Sequence, residues 1–327
     1  MKTPKAKKLP SGSWNCSVMV GGKRHSFTRD TKKEAEQAAA MFKMKPDQKI
    51  SRLTLREGID EYIESRSNVL SPSTIKGYRD IQRQRFQAVM DFPLTQRIDW
   101  QAVINREAKS VSPKTLKNSF ALVASVYREN GIILDRVQFP QAPKEERPFL
   151  DPDQIKVFVK AIEGDQYELA YLLCLHGLRR SEMLALRKDQ VKGGVIHVRG
   201  ALVKSVDGFT YKDTNKNASS TRDVPIMTDR VPLLVAKSYD GLLCPYSTSG
   251  MSSHLRTICR HNGLPRLSLH CLRHSFVSLC YYRGISELAC MSLGGYSDFT
   301  TMRKIYTHLS RQEAQAAADN LKEFFRA

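Results

Sequence analysis

The chain has no apolar run approaching the roughly 20 residues that a bilayer-spanning helix needs, which argues against a helical membrane protein. Its basic start carries no apolar core of the signal-peptide kind, so secretion is not expected and the cytoplasm is. Cysteines are few and scattered, seven in all at 16, 174, 244, 259, 271, 280 and 290, with no close-spaced pair of the zinc-ribbon type. Reduced thiols are the simpler account, and Cys271 and Cys280 fall in one apolar-periodic segment as small buried hydrophobes. Low-complexity tracts are missing, and so is a basic amphipathic helix with an aromatic face, which weakens a membrane-surface reading. Negative charge is in the minority: 33 Asp and Glu stand against 52 Lys and Arg, a net charge of +19 spread over the whole chain. Solubility alone rarely calls for such single-sign excess. A polyanionic partner is expected, with nucleic acid first.

What is present is ordinary globular composition, 41% hydrophobic and 26% charged over 327 residues, enough for two or three domains. The first fifty residues hold the densest basic excess, 12 Lys and Arg against 4 Asp and Glu. In "SWNCSVMV", Trp14, Cys16, Val18 and Val20 alternate with smaller or polar residues, the period of a half-buried strand. Gly21-Gly22 reads as a two-residue turn and "KRHSFT" as the returning strand. "DTKKEAEQAAAMF" follows as a helix capped by Asp30 or Thr31. A small sheet on one helix, with Lys23, Arg24 and Arg29 about the hairpin, suits groove reading by a β-ribbon; a solvated hairpin is the bland alternative.

Pro46–Ile50 reads as a linker, and residues 51–138 turn helical, with Leu55, Ile59, Tyr62 and Ile63 on the 3.6-residue period. "SPSTIK" at 71–76 and "SPKTLK" at 112–117 each place Ser as cap and Pro in the first turn, where no backbone donor is lost. Core stripes follow, Ile75, Tyr78 and Ile81, then Leu116, Phe120, Val123 and Tyr127. Arg79, Arg83, Arg85, Lys114 and Lys117 lie off them and could meet phosphates. "FPQAPKEERPFL", 139–150, has three prolines and no periodicity and marks the main boundary. Beyond it "DPDQIKVFVKAI" opens a helix capped by Asp151, helices run to about 190, and "GGVIHV", "GFTY" and "TRDVPI" form a short sheet. Helices then resume, the last with a Ser310–Glu313 capping box and Leu321, Phe324 and Phe325 on one side. The expected fold is α+β and mostly helical: a sheet-and-helix domain at 1–48, a helical domain at 51–138, and an α-rich domain with a short antiparallel sheet at 148–327.

Four phrases in the last domain carry chemistry. In "HGLRRSEMLALRKDQV", Arg179 follows a Gly turn and Glu182 stands three residues on, able to fix a guanidinium fork; alone, an ordinary surface pair would be preferred. In "YKDTNKNASSTRDVPI", Lys216 sits at the tip of an expected hairpin; Lys204 and Lys212 share the region. In "LSLHCLRHSFVSLC", His270 and Arg273 are at i, i+3 under a Ser268 cap, a proton carrier beside a fixed charge, with His274 as packing or helix support. In "LGGYSDFTTMRKIYTHL", Met302, Ile305 and Leu309 make Tyr306 look like one more apolar-face residue.

Together, Arg…Lys…His-x-x-Arg…Tyr in this order resembles the tyrosine recombinase (phage integrase) family, whose motif boxes are close to "GLRRSEMLAL", "LHCLRHSF" and "YTHL". The resemblance covers 148–327; the upstream regions look like the family's arm-type and core-binding DNA domains. It implies a site-specific recombinase in which Tyr306 attacks the scissile phosphate, forming a 3′-phosphotyrosyl link and freeing a 5′-hydroxyl without metal, cofactor or external energy. Arg179 and Arg273 would hold the non-bridging oxygens, Lys216 would protonate the leaving oxygen, His270 would assist proton movement, and Glu182 would orient Arg179. Expected partners are duplex DNA at core and arm sites, further copies of the chain in a tetramer, and DNA-bending or excision accessory proteins. One position departs from the pattern: ten residues before the nucleophile the family usually keeps His or Trp, and here stands Tyr296. With a usual pKa of about 10 it is no cation at neutral pH, so a supporting role is expected. A non-catalytic DNA-binding regulator and a type IB topoisomerase-like nicking-closing enzyme are the competing readings.

Overall fold

The structure, a computed structural model, describes residues 5–20, 23–44, 53–141, 148–212, 221–297, 300, 302 and 309. It divides into two compact units, Met1–Pro143 and Lys144–Ala327.

In the first unit, β1 (Lys7–Lys8), β2 (Trp14–Val20) and β3 (Lys23–Arg29) form an antiparallel sheet in that order. Alternation does what the pattern predicted. Cys16 and Val18 point to one face and pack with Ala35 and Ala39 of α1 (Lys32–Met44). The other face is a polar ladder in which the Asn15 amide donates to Ser26 at 2.9 Å and Thr28 at 3.0 Å. Of the two possible caps, Thr31 accepts from the Glu34 amide at 3.3 Å. β1 is a strand that the composition of the basic leader did not signal. Arg24 is exposed, Arg29 is half-buried and donates to the Thr28 carbonyl at 2.7 Å, and Lys23 pairs with Val20 in the ladder. The Gly21-Gly22 turn and the Pro46–Ile50 linker lie outside the described residues.

The same unit carries a separate helical core from α2 (Leu55–Glu64), α3 (Pro72–Gln84), α4 (Trp100–Glu107) and α5 (Pro113–Glu129). Both Ser-Pro starts cap as the sequence predicts: Ser71 accepts from the Thr74 amide at 3.2 Å and Ser112 from the Thr115 amide at 3.3 Å. Leu116, Phe120, Val123 and Tyr127 are buried, whereas Ile75, Tyr78 and Ile81 only flank the core. The basic residues expected to face phosphate are not equally available. Arg79 pairs with Asp60, Arg83 with Asp80 at 2.5 Å and Arg85 with Glu107 at 3.9 Å, so an incoming phosphate must compete with a carboxylate at each. Lys114 and Lys117 are exposed and make no ion pair among the described residues.

The second unit begins with α6 (Pro152–Ala161), where Asp151 and Gln154 complete a capping box behind Pro152. Then come α7 (Glu168–Leu175), the short α8 (Arg180–Ala185), β4 (Val191–Lys192), β5 (Val195–Val198), β6 (Ala201–Ser205), β7 (Gly208–Lys212) and β8 (Arg222–Pro225). The sheet differs from the expected one. β4, β5 and β8 form one antiparallel sheet, while β6 and β7 make a separate hairpin. β7 and β8 do not pair with each other: among the described residues β7 pairs with β6 and β8 with β5. Lys216 lies in the segment between them, outside the described residues.

α9 (Arg230–Lys237), α10 (Thr248–His261), α11 (Leu269–Tyr282) and α12 (Glu287–Gly294) complete the unit. α11 is buried on nearly every side, which explains why its apolar residues show little one-sided periodicity. Ser275, fully buried on it, accepts from the Leu150 amide at 2.9 Å and donates to the Cys271 carbonyl at 3.0 Å. All seven cysteines are buried free thiols. Among the described residues no helix is long and apolar enough to cross a membrane. Tyr306 and the Ser310–Glu313 capping box with its apolar side lie outside the described residues.

Candidate active site

The site is built where three separate chain segments meet around the turn after α7. Gly177 breaks that helix with φ +83°, a conformation glycine adopts without Cβ strain. Space demands glycine as well, since a Cβ there would stand 3.0 Å from the Phe276 ring and 3.4 Å from the Gly294 Cα. Leu178 turns into the core, and Arg179 becomes the residue preceding α8.

Glu182 is the hub. Its side chain is 1% exposed and its two oxygens are fully used. Oε1 accepts from Arg179 Nη1 at 2.5 Å; Oε2 accepts from the Arg179 amide at 2.8 Å and from Arg222 Nη2 at 3.1 Å. Burial alone would raise this carboxyl's pKa. The charge and hydrogen bond of Arg222, with those of Arg179, outweigh it and hold the carboxyl below its ordinary value. The orienting role expected of Glu182 toward Arg179 has this geometry behind it.

Arg222 is a member of the cluster that sequence reasoning missed. It opens β8, is 7% exposed, and donates through Nε to the Leu293 carbonyl at 2.9 Å and through Nη2 to the Gly177 carbonyl at 3.3 Å. It sits in the quoted "STRDVPI" phrase, but its importance depends on a strand pairing that no local pattern encodes. Arg179 reaches the carbonyl of Gly295, two residues beyond the one Arg222 holds.

Arg273, on α11, is 1% exposed. One Nη donates to the Gly177 carbonyl, and the guanidinium carbon lies 4.1 Å above the ring centre of Tyr296. Desolvation presses its pKa down, yet a guanidinium stays charged in proteins. Tyr296 is buried, and burial pushes its phenol up. Its visible support for the site is the ring under Arg273. His270, one turn before Arg273, is exposed, and its ring centre is 4.5 Å from that of His274, which is buried.

His176 is a further buried histidine that the motif reading passed over. Its Nδ1 lies 2.7 Å from the Leu172 carbonyl and its Nε2 accepts from the Met227 amide at 3.0 Å. Those bonds fix a neutral tautomer, and burial lowers its pKa, which makes it a strut between α7 and the chain after β8. No group of three or more His, Cys, Asp or Glu that could hold a metal occurs among the described residues.

Two guanidinium groups, Arg179 and Arg222, thus bond one buried carboxylate, and a third, Arg273, shares the Gly177 carbonyl with Arg222, an excess of positive charge that an anion would complete. The described residues bring together Arg179, Glu182, Arg273 and Tyr296; Lys216 and Tyr306 fall outside them.

Two solved structures with a similar architecture are integrases. The Tn1549 transposon integrase in complex with transposon right end DNA matches with a TM-score of 0.64 at 20% identity, covering 82% of this chain and 99% of that one. A lambda integrase dimer bound to a COC′ core site matches with a TM-score of 0.56 at 18% identity, over 92% and 94% of the two chains. At these identities the likeness establishes the mostly helical α+β fold. The phage integrase family model matches residues 148–313, and the chain belongs to that family. Similar proteins include the integrase of Staphylococcus phage L54a, 27% identical over 191 residues (49% of this chain, 54% of that protein). A XerC-like tyrosine recombinase of Caldanaerobacter subterraneus is 23% identical over 251 residues, covering 65% of this chain and 64% of its own length. The chain thus spans between half and two thirds of the length of these relatives.

Proposed function

We propose that the chain is a site-specific DNA recombinase, an integrase of a phage or other mobile element, which cuts and rejoins DNA through a 3′-phosphotyrosyl intermediate. The observation that carries this reading is the arginine cluster: Arg179, Arg222 and Arg273 around the single carboxylate of Glu182, inside the stretch that matches the phage integrase family. A scissile phosphate supplies the anion that such a cluster lacks, and the cluster is set before the substrate arrives, so little reorganisation accompanies charge build-up.

In this scheme Tyr306 is the nucleophile. Its oxygen forms the bond to phosphorus as the 5′-oxygen leaves, and Lys216 gives that oxygen its proton. Arg179 and Arg273 neutralise the non-bridging oxygens of the phosphorane-like transition state, and exposed His270 assists proton movement near neutral pH. Reversal of the same step with a partner strand's 5′-hydroxyl completes the exchange. The chemistry needs no metal or cofactor.

Binding follows the charge. Residues 1–48 serve as an arm-type DNA-binding domain through Lys23, Arg24 and Arg29. Residues 51–138 serve as a core-binding domain in which exposed Lys114 and Lys117 meet phosphate directly, while Arg79 and Arg83 exchange a carboxylate for it. Residues 148–327 form the catalytic domain. A basic face that the sequence reading did not single out adds to it: α10 has no acidic residue, and Arg256 and Arg260 line a shallow cavity with Ser253, Thr257 and Arg266. The lambda integrase tetramer bound to a Holliday junction supports assembly of four copies on DNA. DNA-bending or excision proteins are the accessory partners, and the cytoplasm is the place of reaction.

The test is a suicide duplex nicked beside the cleavage position. Wild type should form a covalent adduct in EDTA, and Tyr306→Phe should form none. Equal adduct from Tyr306→Phe, or a strict magnesium requirement, would overturn the scheme.

A further inference from the structure

We infer that Arg222 is a positioning residue of the strand-transfer reaction, a buried brace that sets Glu182 and, through it, the phosphate-binding fork of Arg179. The inference rests on the recombinase reading above and deepens it.

Arg222 is far more buried than Arg179, 7% against 31% exposed, so it is poorly placed to greet DNA. Its donors instead tie three pieces of the site together. Nη2 bonds Glu182 on α8 and the Gly177 carbonyl in the turn before it, and Nε bonds the Leu293 carbonyl near the end of α12. The Gly177 carbonyl also accepts from Arg273, so one oxygen couples Arg222 to the second phosphate-binding arginine. Two residues beyond Leu293, Gly295 adopts φ +62° and presents its carbonyl to Arg179. A Cβ at Gly295 would lie 2.7 Å from Arg222 Nη1, so the guanidinium fills the space that this glycine leaves. Only a planar fork with several fixed donors can satisfy a carboxylate and two carbonyls in different directions. A lysine carries the charge but not the fork.

Electrostatics gives the brace a second task. The charged and titratable groups about Glu182 are Arg179 beside it, Arg222 from β8, Arg273 from α11 and Cys174 from α7. With Arg222 removed, burial acts on the carboxyl with less opposition and its pKa rises. A protonated Glu182 no longer accepts from Arg179 with both oxygens.

The experiment compares the full-length wild type with Arg222→Lys, Arg222→Gln and Arg222→Gln/Glu182→Gln. The probe is the nicked duplex that wild type cleaves most readily from a pool with a randomised core. A wild type that forms no adduct with any duplex overturns the recombinase reading and this inference with it. Given wild-type cleavage, both single variants should bind the duplex with unchanged affinity and cleave it about 100-fold more slowly at saturation, the scale on which a small misplacement acts. The acid limb of rate against pH should move toward neutrality in Arg222→Gln, which loses the charge, and this move should vanish in the double variant, which has no carboxyl to titrate. Melting curves separate misfolding from misplacement: a folded variant with the wild-type cleavage rate, or a slow Arg222→Gln whose acid limb stays where wild type has it, would overturn the inference.

Discussion

Glu182 concentrates the residue-scale consequences, because a fully buried carboxylate there answers two arginines and an amide at once. Removing one partner of a buried charge set leaves the others uncompensated, so Glu182→Ala should cost about 3 kcal/mol in denaturant unfolding. The pH sign follows from the depressed folded pKa. The carboxyl's stabilising share is fully present above its ordinary value of 4.5 and is lost as pH falls through the lower folded value. Melting temperatures of wild type and Glu182→Gln should therefore converge below that value. Tyr296 behaves differently. Its ring under Arg273 is the contact that Phe retains, so Tyr296→Phe should fold and form the DNA adduct nearly as wild type does. Tyr296→Ala removes the surface beneath Arg273 and should cost about 3–5 kcal/mol with loss of cleavage. Comparable damage from Phe and Ala would show that the phenol, not the ring, matters.

At the scale of elements, the turn between α7 and α8 is the least replaceable stretch. Gly177→Ala imposes a Cβ on a left-handed conformation and against Phe276, and it disturbs a carbonyl that two arginines share. A loss of about 1–3 kcal/mol with a disproportionate loss of cleavage is expected; an Ala variant with normal melting and cleavage would refute that role. Caps were legible in the sequence because they are local: Ser71, Ser112, Asp151 and Ser268 all bond amides two or three residues ahead. Strand partners were not. "GFTY" and "TRDVPI" both read as strands, yet β7 pairs with β6 and β8 with β5, since pairing is chosen by packing across the whole unit. The same non-locality hid Arg222 and the burial of Tyr296, whose polar sequence neighbours give no sign that its ring packs with residues of α11 and α12. Arg179, Glu182 and Arg273 were legible through motif order, and no spacing rule alone would have separated them from surface charge.

For the whole molecule, the +19 charge predicts how binding responds to salt and truncation. Each phosphate contact releases counterions, so affinity for any duplex should fall linearly in log-log form as salt rises. Deleting residues 1–48 should abolish arm-site binding and leave core-site binding measurable by mobility shift; an unchanged arm-site shift would reject the arm assignment. The separate apolar clusters of the sheet-and-helix and helical regions make that deletion feasible, because among the described residues the two clusters share no member. The central claim is that one phenol of this chain becomes joined to DNA. Trapping the adduct in EDTA, digesting it and sequencing the nucleotide-bearing peptide by mass spectrometry tests that claim most directly. The account predicts a single modified residue, Tyr306, linked to a 3′-phosphate; attachment at Tyr296 or any other residue, or a 5′-phosphate linkage, would contradict it.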